Sequence, residues 1–585
     1  MKKSKSKQKF RTLLPRLAAI LLPAMLAFVF VLTCTNSIAY KSPTRDENRH
    51  LIRGVMLLKT GDYRLNKHHP ILGNVLNGIP QLFNSKLEIP STSDPDWEMA
   101  NKDNLAGKLV DLNGKKRSFL FDVLYLSRYV TIGFMALSGI LMYFIVKKEF
   151  GLIAAGIFTI LYFFSPNIIA HSRLVTTDAY IIPVTFLGTF ILYKYLQEPS
   201  KKRLCWFIVV SFLALLTKYT VVPIAAIWLL FMFICEIFAG GSTRPKFFTR
   251  LLSASKKIAI VIFAWVVLLT AAYGFRFTTL SATNHANTDK TETHMHNITD
   301  LTSSVPFLTK PIQHIYKNIP VPFPEYIQGF FENVLLHDQY GHDSFLFGQY
   351  SKTGWWYYFP AAMLIKVPVP LLIGSTTLLL WAAAKFYQQL TTLKKQKLFN
   401  IQLKPNHIFI IVPAFFVLLS MKSSINLGIR HILILFPFIY LGLGILAQKT
   451  IKSQSKILAP VILLVVWYIY SSISIYPHYL EYFNEIAGGP ENGYKYLLDS
   501  NLSWAQDDLY VEDYINNLPK TTPVYKNPES EIEKGIVVID VDRLMGRDTN
   551  KREDTAWLRE PFLNEEIEPI DRIAHTYMVF EIKPD

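Results

Sequence analysis

Cysteine is nearly missing from this chain. Three occur in 585 residues, Cys34, Cys205 and Cys235, each inside an apolar run. No Cys-x-x-Cys pair suggests metal or thiol chemistry, and cysteine usage is uninformative about redox compartment. Charge is also thin: Asp, Glu, Lys and Arg make up 18% of the chain, against roughly a quarter in ordinary soluble proteins. An internal repeat of the kind that marks inverted-repeat transporters is lacking too.

What fills the chain instead is apolar: 51% hydrophobic residues, 14% aromatic, and a mean hydropathy of +0.23. A bilayer core about 30 Å thick takes roughly 20 apolar residues per helix. That length predicts an all-α polytopic membrane protein with about eleven spans, near 17–39, 123–146, 151–169, 179–196, 204–217, 219–238, 258–277, 360–383, 407–421, 431–447 and 457–476. The segment 204–217 is short for a span. The net charge of +17 invites a nucleic-acid reading, but its distribution argues against one. Basic stretches at 1–16, 147–150, 194–203, 244–257, 385–404 and 449–456 alternate with loops that hold few Lys or Arg. This alternation is the bias of cytoplasmic loops, so the charge is topological and no nucleic-acid partner is expected. The first apolar run is long for a signal peptide and lacks a clear cleavage site, so it is read as an uncleaved span. Residues 40–122, 170–178, 278–359, 422–430 and 477–585 then face outward.

The first outer loop (40–122) opens with "TRDENRHLIRG". Thr44 and Glu47 have capping-box spacing, and Gly61 is a fitting helix stop. Asp46, Arg49, His50 and Arg53 share one side at helical spacing while Ile52, Val55, Met56 and Leu58 favour another, the pattern of a helix lying on the membrane. Pro70 predicts a second short helix, and 85–117 reads as irregular loop. The other large outer loop spans 278–359. Residues 1–476 form the membrane domain, and 477–585 read as a small extracytoplasmic α/β domain with strands at 535–541 and 576–582 and a helical turn at 556–562.

Polar residues beside membrane segments are costly and point to function. Here Arg173, Asp178, Lys218, Lys366, Arg430 and His431 all fall at outer ends of predicted spans. With Asp46 and Arg49 they describe one outward-facing chamber of cations and carboxylates. Arg and Lys suit an anionic headgroup, and a carboxylate suits a base. A lipid or polysaccharide transporter without chemistry is the rival reading. It requires polar groups reaching towards the cytoplasmic side, and few are present.

Several ordered stretches between residues 40 and 515 resemble the membrane-embedded GT-C glycosyltransferases of the protein O-mannosyltransferase and aminoarabinose transferase type, glycosyltransferase family 39. "RDENRH" is similar to the family's Asp-Glu, "NKHHPILGNVLNGIP" to its His-Pro or Lys-Pro-Pro stretch, "SRLVTTDAY" to its Arg-x-x-x-x-Asp, and "LLTKYT" to its Lys after the fifth span. "GHDSFLFGQYSKTGWWYYFPAAMLIKVP", "NLGIRHILILFPF" and "YPHYLEYFNEIAGGPENGYKYLLDSNLSWAQDD" resemble blocks found in bacterial members. The chain departs from the pattern at "SWAQD" (503–507), where many relatives carry Asp-Trp-Gly-Gln-Asp, and at His68-His69-Pro70, where aminoarabinose transferases have Glu-Lys-Pro.

The resemblance implies a sugar transferred with inversion from a polyprenyl-phosphate donor to a hydroxyl on a protein, lipid or glycan acceptor, at the outer face of a bacterial inner membrane. It implies Asp46 as general base and Asp178 as a second, orienting acid. Arg49, Lys218 and Arg430 are implied to hold the donor phosphate, with Glu47, His69, Arg173, Lys366 and His431 as further substrate contacts. No cofactor is required. A divalent metal stays open, with His68 and His69 as weak ligand candidates and His285, His294 and His296 weaker still.

Overall fold

The computed structural model describes residues 2–238, 247–284, 288–336, 341–395 and 403–584. Among the described residues eight helices are long and apolar enough to cross a bilayer: Ala19–Ser37, Arg117–Phe150, Asp178–Gln197, Val221–Phe238, Phe247–Ala272, Val369–Gln388, Ile429–Ser453 and Ser455–Ser474. The pair Leu152–Phe163 and Pro166–Ser172, bent by 59°, makes a ninth if it is one broken span. Two of the eleven expected spans fall short of crossing length. Lys201–Leu215 packs against its neighbours within the bundle, and Pro405–Ser420 is a short apolar helix.

The helix Glu47–Thr60 ends where expected, with Gly61 in the left-handed region at φ 70°. Its start differs in detail. The Glu47 carboxylate accepts from the Thr44 N–H at 2.9 Å, but the Thr44 hydroxyl makes no hydrogen bond. Nor does the helix lie on the membrane. Leu51, Ile52, Val55 and Met56 are fully buried against Leu105, Leu109 and Leu120, and Arg53 and His50 on the polar side are buried as well. Both sides are covered because the loop at 85–117 is not irregular. It holds helices Pro95–Glu98 and Lys102–Leu112, whose N-caps Asp94 and Asn101 were readable as loop polarity. Pro70 precedes the expected short helix, Ile71–Gly78, and the two helices touch so closely that a Cβ on Gly54 meets the Asn74 carbonyl oxygen at 1.9 Å.

Glu47 anchors this layer. Arg128 donates to both its oxygens, from Nε at 2.8 Å and from Nη2 at 2.6 Å, and the Val175 N–H adds a third bond. Both side chains of the pair are wholly buried. Breaking a buried pair leaves an uncompensated charge at a cost of about 3–5 kcal/mol. Glu47→Gln is therefore expected to lower the melting temperature and the yield of folded protein, measured in detergent, before any effect on chemistry.

The tail carries a four-stranded mixed sheet in the order Val524–Lys526, Gly535–Asp540, Tyr577–Ile582, Asp571–Ile573. The first pair is parallel and the others antiparallel. The expected helical turn is the helix Ala556–Leu563. The tail docks on the first outer loop through Lys41, whose ammonium reaches Glu481 at 2.7 Å, Asp507 at 2.5 Å and His478 Nδ1 at 2.7 Å, all but His478 fully buried.

Candidate active site

Four elements deliver charge to one end of the bundle: the start of Glu47–Thr60, the start of Asp178–Gln197, the turn before Val221–Phe238, and the start of Ile429–Ser453. Arg430 is the hub. Its Nη1 lies 3.2 Å from Asp46 Oδ2 and 3.4 Å from Asp178 Oδ2. Asp46 is gripped on its other oxygen by Arg49 at 3.1 Å, and Asp178 on its other oxygen by Lys218 at 2.5 Å. Arg49 in turn reaches Asp103, which also faces Lys102 at 3.4 Å. The Arg430 guanidinium stacks over the Trp504 ring, 4.2 Å from its centroid. Its Nε is buried without a hydrogen-bond partner.

Burial alone would raise Asp46, but the Arg430 and Arg49 charges hold its carboxyl below the usual range, so it is ionised at neutral pH. Burial drives His50 down to about 4, with Arg53 adding repulsion, and drives its stacking partner His69 well below the ordinary histidine range. Both imidazoles are therefore neutral at pH 7.

Arg53, which sequence reading gave no role beyond the polar face of its helix, is the unexpected member. Only 3% of it is exposed, and among the described residues its side chain makes no hydrogen bond. Burial pulls it down to about 10, with the Asp46 and Asp103 charges acting the other way. Lys102 is driven down to about 8 by burial, and then by Arg53. The cluster thus holds the cations Arg49, Arg53, Lys102, Lys218 and Arg430 against the carboxylates Asp46, Asp103 and Asp178. A surplus of positive charge in which Arg53 and Arg430 are buried, each with its Nε unpartnered, is costly unless an anion arrives.

Other candidates lie elsewhere or are committed. His431 faces the cluster, with Asp178, Arg430 and Lys218 among its charged neighbours and its Nε2 unpartnered. Glu47 is held by Arg128 as above. Arg173 donates to the carbonyls of Ser37 and Pro477, and Lys366 to those of Leu480 and Asn501, so both brace the wall behind the site. His68 bonds Asn333, and among the described residues neither His68 nor His69 belongs to a metal-ligating group. His294 is tied to Tyr316, and His285 lies outside the described residues. Among the described residues one group has ligand spacing suited to a divalent metal: His478, Glu481 and Asp507, with ligand atoms within 4.8 Å of one another. The Lys41 ammonium already bonds all three, so a metal there would have to displace it.

The departure at "SWAQD" has a local account. Ser503 donates to Asp540, Trp504 is the platform under Arg430, and Ala505 adopts φ 68°, the left-handed region that favours the glycine of the resembling pattern.

These features define a polytopic membrane protein with a charged, partly buried site at one end of its helices. A family model described as dolichyl-phosphate-mannose-protein mannosyltransferase matches residues 125–272, a stretch that contains Asp178 and Lys218 but neither Asp46 nor Arg430. Among solved structures, ArnT from Cupriavidus metallidurans bound to undecaprenyl phosphate is similar at 12% identity and a TM-score of 0.38, over 95% of this chain and 97% of that one. The apo state of the same protein gives the same values. The Archaeoglobus fulgidus oligosaccharyltransferase, tethered to an acceptor peptide with the NVT sequon, is similar at 11% identity and a TM-score of 0.40, over 94% of this chain and 72% of that one. No curated protein sequence matches the chain.

Proposed function

We propose that this protein transfers a glycosyl unit from a polyprenyl-phosphate donor to a hydroxyl acceptor on the extracytoplasmic side of a bacterial inner membrane, with inversion. The observation that carries the reading is the cation surplus around Asp46, with Arg53 and the Arg430 Nε awaiting an acceptor. A donor phosphate diester supplies one negative charge to that cluster and the departing monoester more. The interaction therefore strengthens as the bond to the sugar breaks, which is the requirement for catalysis.

A single displacement then follows. The acceptor oxygen attacks the anomeric carbon while Asp46 takes its proton, and the bond from that carbon to the phosphate oxygen breaks with its electron pair left on phosphate. Arg430, Arg53, Lys218 and Arg49 hold the leaving group, and Asp178 orients Lys218 and Arg430. Arg430 bonds Asp46 in the free protein. A phosphate that draws Arg430 away raises the basicity of Asp46 when a base is needed. The transporter reading finds less support. The Lys194–Glu149 ion pair lies near the ends of its two helices rather than midway.

The chain in nanodiscs, given a panel of radiolabelled polyprenyl-phosphate sugars and extracted envelope acceptors, should move label from donor to acceptor and release polyprenyl phosphate. Vesicles that show movement of lipid across the bilayer and no donor consumption would establish the transporter instead.

A pH dependence follows from the same cluster. Lys102 has a depressed value of about 8, so its charge is present below that pH and lost above it. Donor KM should rise as pH passes through about 8, and Lys102→Arg should remove that limb. Asp46, held below the ordinary range, should give no acid limb between pH 5 and 7.

A further inference from the structure

A cavity of about 450 Å³ opens between the tail sheet and the first outer loop. It sits at the carboxyl ends of the parallel strands Val524–Lys526 and Gly535–Asp540, where Asn527 and Asp540 enter its lining. Crevices at the carboxyl ends of parallel strands are common ligand sites, and this volume lies within the usual range of about 300–1,000 Å³.

The cavity shares a wall with the charged site. Adjacent residues on two stretches of backbone serve opposite sides of it. Arg45 and Ala505 line the cavity, while their neighbours Asp46 and Trp504 hold Arg430. The two stretches are joined by the Arg45 N–H, which donates to the Trp504 carbonyl at 3.1 Å. A second link runs through Asp499, which pairs with Arg547 of the lining at 2.7 Å.

The chemistry of the lining narrows the occupant. No Leu, Ile, Val, Met or Phe contributes, which disfavours a lipid chain or an apolar peptide. The floor carries carboxylates that are hydrogen-bonded but retain acceptor capacity. Asp540 accepts from Ser503 and from the Asp542 N–H, and Asp542 accepts from the Asp499 N–H and faces Arg547. Tyr577 adds a ring and a hydroxyl that donates to Asp508. Donors line it as well: Arg45, Lys526 and Lys551 are exposed, and Arg543 and Arg547 are partly buried. Donors (Arg45, Lys526, Arg543, Arg547, Lys551) interleave with acceptors (Asp508, Asp540, Asp542, Asp548) around one aromatic ring, which suits a ligand dense in hydroxyls, since each hydroxyl both donates and accepts.

We infer that this cavity binds the saccharide portion of the acceptor, holding a glycan or sugar headgroup so that one hydroxyl reaches past Arg45 to Asp46. This rests on the glycosyl-transfer reading above and makes the acceptor a carbohydrate rather than a bare peptide side chain. Bound there, the acceptor is one residue from the base on one wall and one residue from the cation platform on the other.

The test is direct binding without donor, so failure of donor chemistry leaves its result intact. The full chain in nanodiscs is probed by saturation-transfer NMR with cellobiose, mannobiose, chitobiose and galactobiose. A Ser/Thr-rich peptide and inorganic phosphate are run alongside. At least one disaccharide should give transfer, and Asp540→Asn should weaken its binding at least tenfold. Asp540 is buried, so the rim variant Lys526→Ala with Lys551→Ala serves as a second test that does not depend on the interior, with an expected loss of threefold or more. Silence from all four saccharides, saccharide signals unchanged in both variants, or transfer seen only with peptide or only with phosphate each overturns the inference.

Discussion

Asp46→Asn should abolish turnover while leaving the protein folded and able to bind donor. Removing a positioned base typically costs about 10²–10⁴-fold in rate. The amide keeps the size of the carboxylate, and its oxygen can still accept from Arg430 or Arg49, which approach opposite oxygens at 3.2 and 3.1 Å. Helix Glu47–Thr60 is held by Arg128, Val175 and its buried apolar side rather than by an Asp46 cap, so the fold does not depend on the charge. Donor binding should hold or tighten, because one of three carboxylates that compete with phosphate for the cations is gone. Single-turnover rates with saturating donor and acceptor, beside an equilibrium donor-binding curve, separate the two effects. Near-normal turnover in Asp46→Asn would place the base elsewhere, with Asp178 the next to examine.

Arg430→Ala should reverse that pattern, with donor use falling about 10²–10³-fold, the cost of removing a donor from a developing oxyanion. Arg430→Lys should recover only part of the loss. A lysine supplies one compact charge and cannot bridge Asp46 and Asp178 while lying flat on Trp504. Asp46 retains Arg49 and Asp178 retains Lys218 after the substitution, so folded yield should change little. Trp504→Leu should mimic the Lys variant if the ring orients the guanidinium. Equal and full activity in the Ala and Lys variants would reduce Arg430 to a membrane anchor and remove it from the site.

Much of this site was legible before any coordinates. Asp178, Lys218 and Arg430 stood out because apolar neighbours make a charge conspicuous, and their common position at span ends put them on one side. Pairing was not legible. Arg430 and Asp46 are 384 positions apart, and no local pattern encodes which carboxylate a distant arginine meets. Arg53 escaped for a related reason. In a helix thought to float at the interface, a third arginine is an ordinary headgroup contact, and only its burial by Lys102–Leu112 and Ile71–Gly78 turns it into an unsatisfied charge. The same misplacement hid the weight of Glu47, whose spacing fits a cap but whose partner Arg128 lies 81 positions away. The short helices at Lys201–Leu215 and Pro405–Ser420 carry enough apolar side chains to look like spans, although their helical lengths fall short.

The Lys41 clasp has a temporal consequence. Its partner Asp507 follows 466 positions later, and Arg430 follows Asp46 by 384. At a synthesis rate of about 5–20 residues per second, the first outer loop waits roughly 20–90 s at the membrane before its partners exist. Through that interval Lys41, Asp46 and Arg128 sit beside an unfinished bundle, with only Glu47 and Arg49 made early enough to neutralise them locally. Assembly of the charged cluster therefore waits until Arg430 and Trp504 have been made, late in synthesis and before the tail sheet closes.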